Sequence, residues 1–142
     1  MRFDTRSLVL DVSSLAMGMN HGEFELPMKE VEWNIDEVEP EGKHGVLFLS
    51  LDLREGILTC SGRLDALFVT PCARCLRPAA FHVEEEIART YSWKGPGDGG
   101  DYEAMISTGL VNLLDAVREA VILSVPGKPL CRPDCPGMEY GG

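Results

Sequence analysis

Five cysteines stand out in this 142-residue chain as the side chains whose type and spacing could do chemistry: Cys60, Cys72, Cys75, Cys131 and Cys135. Cys72-Ala73-Arg74-Cys75 interrupts the link between two predicted strands. Cys131-Arg132-Pro133-Asp134-Cys135 lies 56 residues further on, in a proline-rich tail beyond a predicted helix. Two thiolate pairs on irregular turns are what a tetrahedral four-cysteine zinc site requires. A turn with two residues between its cysteines lets both sulfurs reach one ion at ~2.3 Å and leaves backbone amides free to bond the sulfurs. Neither pair closes the coordination alone, so the spacing predicts one zinc shared by Cys72, Cys75, Cys131 and Cys135. The CxxxC pair is the less specific half.

Three alternatives stand beside that expectation. A redox dithiol of the thioredoxin kind places its CxxC at a helix N-terminus, where the dipole lowers the thiol pKa; here Leu76-Arg77-Pro78 leads into a strand instead. Structural disulfides belong to oxidising compartments and are disfavoured by the cytoplasmic placement argued below. The third alternative is two separate pairs that bind nothing. Cys60 differs from the other four: between Leu58 and Gly62 on an apolar strand face, it is expected to be a small buried hydrophobe.

Four thiolates leave no open position for water, so the predicted zinc is structural and not catalytic. His21, His44 and His82 are scattered, two in predicted loops and one on a predicted solvent face, and all three read as solvated. In Glu84-Glu85-Glu86, strand alternation sends Glu84 and Glu86 to one face and Glu85 to the other, which describes a solvated strand better than an acid–base pair. The chain has no P-loop pattern, no GxGxxG after a strand and no GxSxG. The expectation is a protein that is not an enzyme and takes no small-molecule substrate.

The elements that must position the cysteines follow from periodicity. Phe24 to Met28 alternates and continues through Val31 and Trp33 to Ile35, an expected edge strand because Pro27 has no amide hydrogen for a ladder. From Val46, Leu47, Leu49, Leu51 and Leu53 share one face. The chain then reverses at Arg54-Glu55-Gly56, and Leu58, Cys60, Gly62, Leu64, Ala66 and Phe68 share the next apolar face. A third strand is predicted from Ala80 to Trp93, with Phe81, Val83, Ile87 and Tyr91 inward; Glu85 and Arg89 fall on that face and should lie at its rim or pair across strands. The glycine-rich stretch over 94–101 reads as a flexible loop. After it, Leu110, Leu113, Leu114, Val117 and Val121 recur at helical spacing, with Asn112 and Asp115 as a candidate capping box and Pro126-Gly127 as the stop. The pattern predicts one α+β domain over 1–142: an antiparallel sheet or incomplete barrel with one long covering helix and a cysteine-stapled C-terminal tail.

Charge bears on partners. With 23 acidic against 13 basic side chains the net charge is −10, which repels phosphate except at a local basic patch. The candidate patch is Arg74 and Arg77 beside the first cysteine pair, with Arg63 upstream and Arg132 in the second pair. A basic protein partner suits the whole-molecule charge better than naked RNA, although net acidity alone also serves solubility. No window reaches the ~18 apolar residues of a membrane-spanning helix. The Leu8-Val9-Leu10 run, ended by Asp11, is too brief for a signal-peptide core, so a cytoplasmic location is expected.

In order along the chain, Gly62-Arg63-Leu64, the Pro71-Cys72-Ala73-Arg74-Cys75-Leu76 turn, an acidic strand ending at Tyr91, a helix closing in Arg118-Glu119 and Leu123-Ser124-Val125-Pro126, and Leu130-Cys131-Arg132-Pro133-Asp134-Cys135-Pro136-Gly137-Met138 resemble the bacterial and plastid DUF177, or YceD, family of large ribosomal RNA subunit accumulation proteins. The likeness runs from about Val46 to Met138. It implies a role in ribosome assembly through accumulation of large-subunit rRNA, and genomic association with a small zinc-ribbon protein of the large subunit. The partners it implies are a large-subunit precursor, its rRNA or a basic ribosomal protein. Many members of that family continue with a further Cys-x-x-Cys-Gly, where Glu139-Tyr140-Gly141-Gly142 stands here.

Overall fold

The computed structural model describes residues 1–92, 104–105 and 109–136. The predicted 94–101 loop, Trp93 and the motif residues from Gly137 onward lie outside them. In chain order the strands are β1 (Arg2–Asp4), β2 (Val9–Asp11), β3 (Gly18–Pro27), β4 (Glu39–Pro40), β5 (His44–Arg54), β6 (Ile57–Pro71), β7 (Pro78–Ser92), β8 (Ala104–Met105) and β9 (Leu110–Asn112), followed by helix α1 (Leu114–Ser124). They build two open sheets, mostly antiparallel and not closed into a barrel: a small one ordered β1-β2-β9, and a larger one ordered β3-β5-β6-β7-β8 with β4 also on β6. The β7–β8 pairing is parallel.

The long meander follows from strict alternation. Leu47, Leu49, Leu51, Leu58, Leu64, Phe68, Val83 and Ile87 turn inward and are buried, while their sequence neighbours face out. The β5–β6 reversal places both Glu55 (φ 51°) and Gly56 (φ 76°) in the left-handed region, the backbone of a two-residue type I′ hairpin turn. Helix α1 lays Ala116, Val117, Ala120 and Val121 on the inner face against β7, and Arg89, on that face, pairs with Glu119 of the helix rather than across strands. Trp33 meets Phe68 edge-on at 5.1 Å between ring centroids, and Phe68 stacks on Phe81 at 6.0 Å. Leu10 and Val111 of the small sheet, with Leu8 and Val12 flanking β2, join the same core.

Three expectations need correction. The first concerns the edge strand, which begins earlier, at Gly18, and stops at Pro27 instead of running on to Ile35. Residues 28–33 turn back, because Trp33 Nε1–H donates to the Met28 carbonyl (2.8 Å) and Glu30 N–H to the Pro27 carbonyl (2.8 Å). Leu110 belongs to β9 and not to the helix: its spacing fits the helical stripe, but pairing of β9 with β2 claims it. The expected capping box does not form: the N-cap is Leu113, which has no side-chain cap, Asn112 accepts from Leu114 N–H (2.8 Å) one residue before it, and Asp115 faces Arg118 at 3.6 Å.

Candidate metal centre

Pro71 closes β6 and Pro78 opens β7, paired with each other, so the six residues between them form the hairpin's end loop. Proline at both borders suits this place, since neither residue needs an amide for the ladder beyond the loop. Inside it, Cys72 N–H donates to the Arg77 carbonyl (2.7 Å) and Leu76 N–H to the Cys72 carbonyl (3.0 Å), with Leu76 held at φ 65°. This tight turn folds Cys75 back beside Cys72.

The tail comes to the loop by its own bonds. Ala73 N–H donates to the Pro129 carbonyl (2.6 Å), and the Arg74 guanidinium donates through Nη1 to the Cys135 carbonyl (2.7 Å). A turn of the tail, closed by Cys135 N–H to the Arg132 carbonyl (3.1 Å), sets Cys131 and Cys135 on one side. The result is a small second core in which Cys72, Cys135 and Ala79 are buried and Leu130 packs against them.

The four sulfurs of Cys72, Cys75, Cys131 and Cys135 lie within 4.8 Å of one another. Cys72 and Cys135 are 3.7 Å apart, Cys75 and Cys131 3.5 Å. A tetrahedron with ~2.3 Å metal–sulfur arms has edges of about 3.8 Å, so the separations fit a tetrahedral thiophilic ion. The electrostatics fit as well. Burial works against a charged Cys72 thiol, but backbone N–H groups of Cys75, Arg74 and Cys131 point at its sulfur and bring its pKa down to about 6. Cys131 is pushed the other way, to about 12, by thiol contacts with Cys135 and Cys75 and by burial. One anion within a sulfur cluster is favoured by the amides, and further anions accumulate only against a cation.

The four cysteines predicted to meet do so. The arginines do not form one patch. Arg74 is exposed along its length but commits its guanidinium to the tail. Arg77 is exposed, Arg132 lies 3.6 Å from Asp134, and Arg63 stands on the sheet's outer face, 5.6 Å above the Phe48 ring. Cys60 is buried in the main core, and burial lifts its thiol to about 12 against a smaller opposing pull from Arg89. A second cluster went unseen in sequence: His82 Nε2 is 2.6 Å from Asp65 Oδ1, and its Nδ1 is 3.5 Å from Glu84. The signal for it was the β6–β7 register, which sets Asp65 opposite Glu84, two residues along β7 from His82 and on the same face. Among the described residues, no helix is long and apolar enough to cross a membrane.

Uncharacterised proteins of Mycobacterium bovis and Mycobacterium tuberculosis are 32% identical to the chain over 99 residues, covering 63% of this chain and 47% of theirs. One of Mycobacterium leprae is 31% identical over 99 residues, 63% of this chain and 45% of its own. The chain thus spans about half the length of the curated relatives it matches. No solved structure matches it. The sequence model for "Large ribosomal RNA subunit accumulation protein YceD" matches residues 60–142, which holds the hairpin, the helix and all four clustered cysteines. With more than half of its length matched, the chain belongs to the YceD family.

Proposed function

We propose that this protein is a noncatalytic ribosome-assembly factor that supports accumulation of large-subunit rRNA, with a structural zinc that staples its tail to the β6–β7 hairpin. The carrying observation is the gathering of four sulfurs from two distant bends in a chain of this family. Zinc suits an all-thiolate tetrahedral donor set, and four protein ligands supply shape and not chemistry. Around the staple, Arg77 and Arg132, with whatever of Arg74 remains free, could meet RNA phosphate, and Arg63 offers a cation on the sheet. The acidic surface suits a basic ribosomal protein, and the cytoplasm is the location that fits such work.

The test has two arms. Protein purified without added metal should carry one zinc per chain by elemental analysis; a metal-free yet fully folded protein removes the staple. Depletion in cells followed by gradient profiling should shrink the large-subunit peak, and an unchanged peak counts against the assembly role. A thiol-based redox or zinc-sensing protein is the second reading, favoured by the lowered Cys72 thiol and the exposed Cys131. Under it, Cys72 or Cys75 reacts with alkylating reagents in the metal-loaded chain; under the staple reading, reaction waits for a chelator.

A further inference from the structure

Among the described residues, one face of the large sheet is covered, by helix α1 and the small sheet. On the other, cross-strand register sorts the outward side chains into rungs: Glu23, Phe48, Arg63 and Glu86 in one, Glu25, Val46, Asp65 and Glu84 in the next. Both of these rungs begin and end with a carboxylate, on β3 and on β7, about 14 Å apart across three strand spacings. Successive rungs are about 7 Å apart along the strands. A cleft of about 610 Å³ opens on this face beside the first rung, lined by Phe48, Arg63 and Glu86 and by Ser50, Ser61 and Ala88 of the neighbouring rung, which carries no carboxylate. With Asp52, the outward positions of β3, β5, β6 and β7 hold six carboxylates against the two guanidiniums of Arg54 and Arg63.

The molecule's own Arg63 shows how a guanidinium is held here. Its plane lies over the Phe48 ring at 5.6 Å while Nη2 reaches Asp65 at 3.6 Å. Aromatic floor and carboxylate rail act on one cation together. An extended chain repeats every two residues at the rung spacing, so a basic strand laid along this face brings successive cationic side chains to the two acidic rungs. Phosphate is repelled by the same rails.

We propose that this outer face of the six-stranded sheet is the docking surface for an extended, arginine- and lysine-rich protein segment. The inference rests on the assembly reading above for its biological setting and deepens it by locating the partner. The rails give attraction and register, and the Phe48 floor gives the contact that salt does not screen.

The experiment measures fluorescence anisotropy of the full chain with a labelled ten-residue peptide alternating Arg and Val, and separately with a labelled single-stranded RNA, at ~0.15 M salt. Replacing Glu23, Glu25, Glu84 and Glu86 with Gln should weaken peptide binding about tenfold or more. Replacing Glu32, Glu37 and Glu41 with Gln and Asp36 with Asn removes the same charge from the β3–β5 connection and should change it less than about twofold. Phe48→Ala should weaken the peptide several-fold with the charge unaltered, which keeps the test open if the fourfold variant fails to fold. Equal losses in the two fourfold variants, no peptide binding by the wild type, or RNA binding that the Gln variant abolishes would each overturn the proposal. Gradient profiling separates the two readings. Peptide docking with an unchanged large-subunit peak on depletion removes the assembly role and keeps the surface, and the reverse result removes the surface alone.

Discussion

Arg74 sits between the cysteines of its turn, but its guanidinium is spent on the carbonyl of Cys135, so it orients the tail ligand from outside the sulfur cluster. Groups that orient metal ligands in this way are worth about 10- to 100-fold in metal affinity. Arg74→Ala is therefore expected to lose metal to a competing chelator about 10-fold more readily, while Arg77→Ala retains it; Arg77→Ala is then the clean probe of phosphate contact, read as a smaller salt dependence of RNA binding. Cys60 carries a prediction in pH. Its folded pKa, near 12, lies above the ordinary 9.0, so the unfolded chain gives up the proton first, and the stability tied to the neutral thiol is intact below about 9 and is lost as pH rises toward 12. The gap in urea midpoint between wild type and Cys60→Ala should narrow over that window; a constant gap would show that the thiol does not titrate across unfolding. Cys60 as a buried hydrophobe and the cysteine quartet were both legible from type and spacing. The double duty of Arg74 was not, because the position of a carbonyl 61 residues away depends on the completed fold.

At the scale of elements, the β5–β6–β7 meander was readable because alternation and burial coincide along it. Gly62 explains itself there: a Cβ at this position would stand 2.3 Å from the Phe48 carbonyl oxygen and 3.0 Å from a Leu49 methyl, so the neighbouring strand backbone would have to move. Gly62→Ala is expected to cost about 1–3 kcal/mol in urea unfolding, the usual range for an overpacked site. The opposite sign is expected at Glu55, whose φ of 51° suits asparagine better than glutamate; Glu55→Asn ahead of Gly56 should raise stability by about 0.5–1 kcal/mol. Leu110 shows where periodicity misleads. Residues 110, 113, 114, 117 and 121 fit a helical stripe, yet the first of them is in a strand, since one short segment of three residues carries too little pattern to reveal a partner far away in sequence. The same reason hid β1 and β2, and the turn at residues 28–33 was hidden by a tryptophan indole bond that alternation cannot express.

Across the whole molecule, the sulfur cluster and the small sheet each hold sequence-distant pieces together. Removing the proposed zinc should free the tail without dissolving the main core, because Leu47, Leu64, Phe68 and Val117 belong to a cluster separate from that of Cys72 and Cys135. Chelation is expected to open cleavage near Pro129–Leu130 by a nonspecific protease while far-ultraviolet circular dichroism of the sheet persists; simultaneous loss of both would mean the ion supports the entire fold. The small sheet sets an order of events. Leu10 pairs with Val111, so the buried strip of Leu8, Leu10 and Val12 finds this cover only after about a hundred further residues have been made. At translation speeds of about 5–20 residues per second, that leaves β2 of the nascent chain waiting roughly 5–20 s for β9, a window in which a chaperone at the polypeptide exit could hold it.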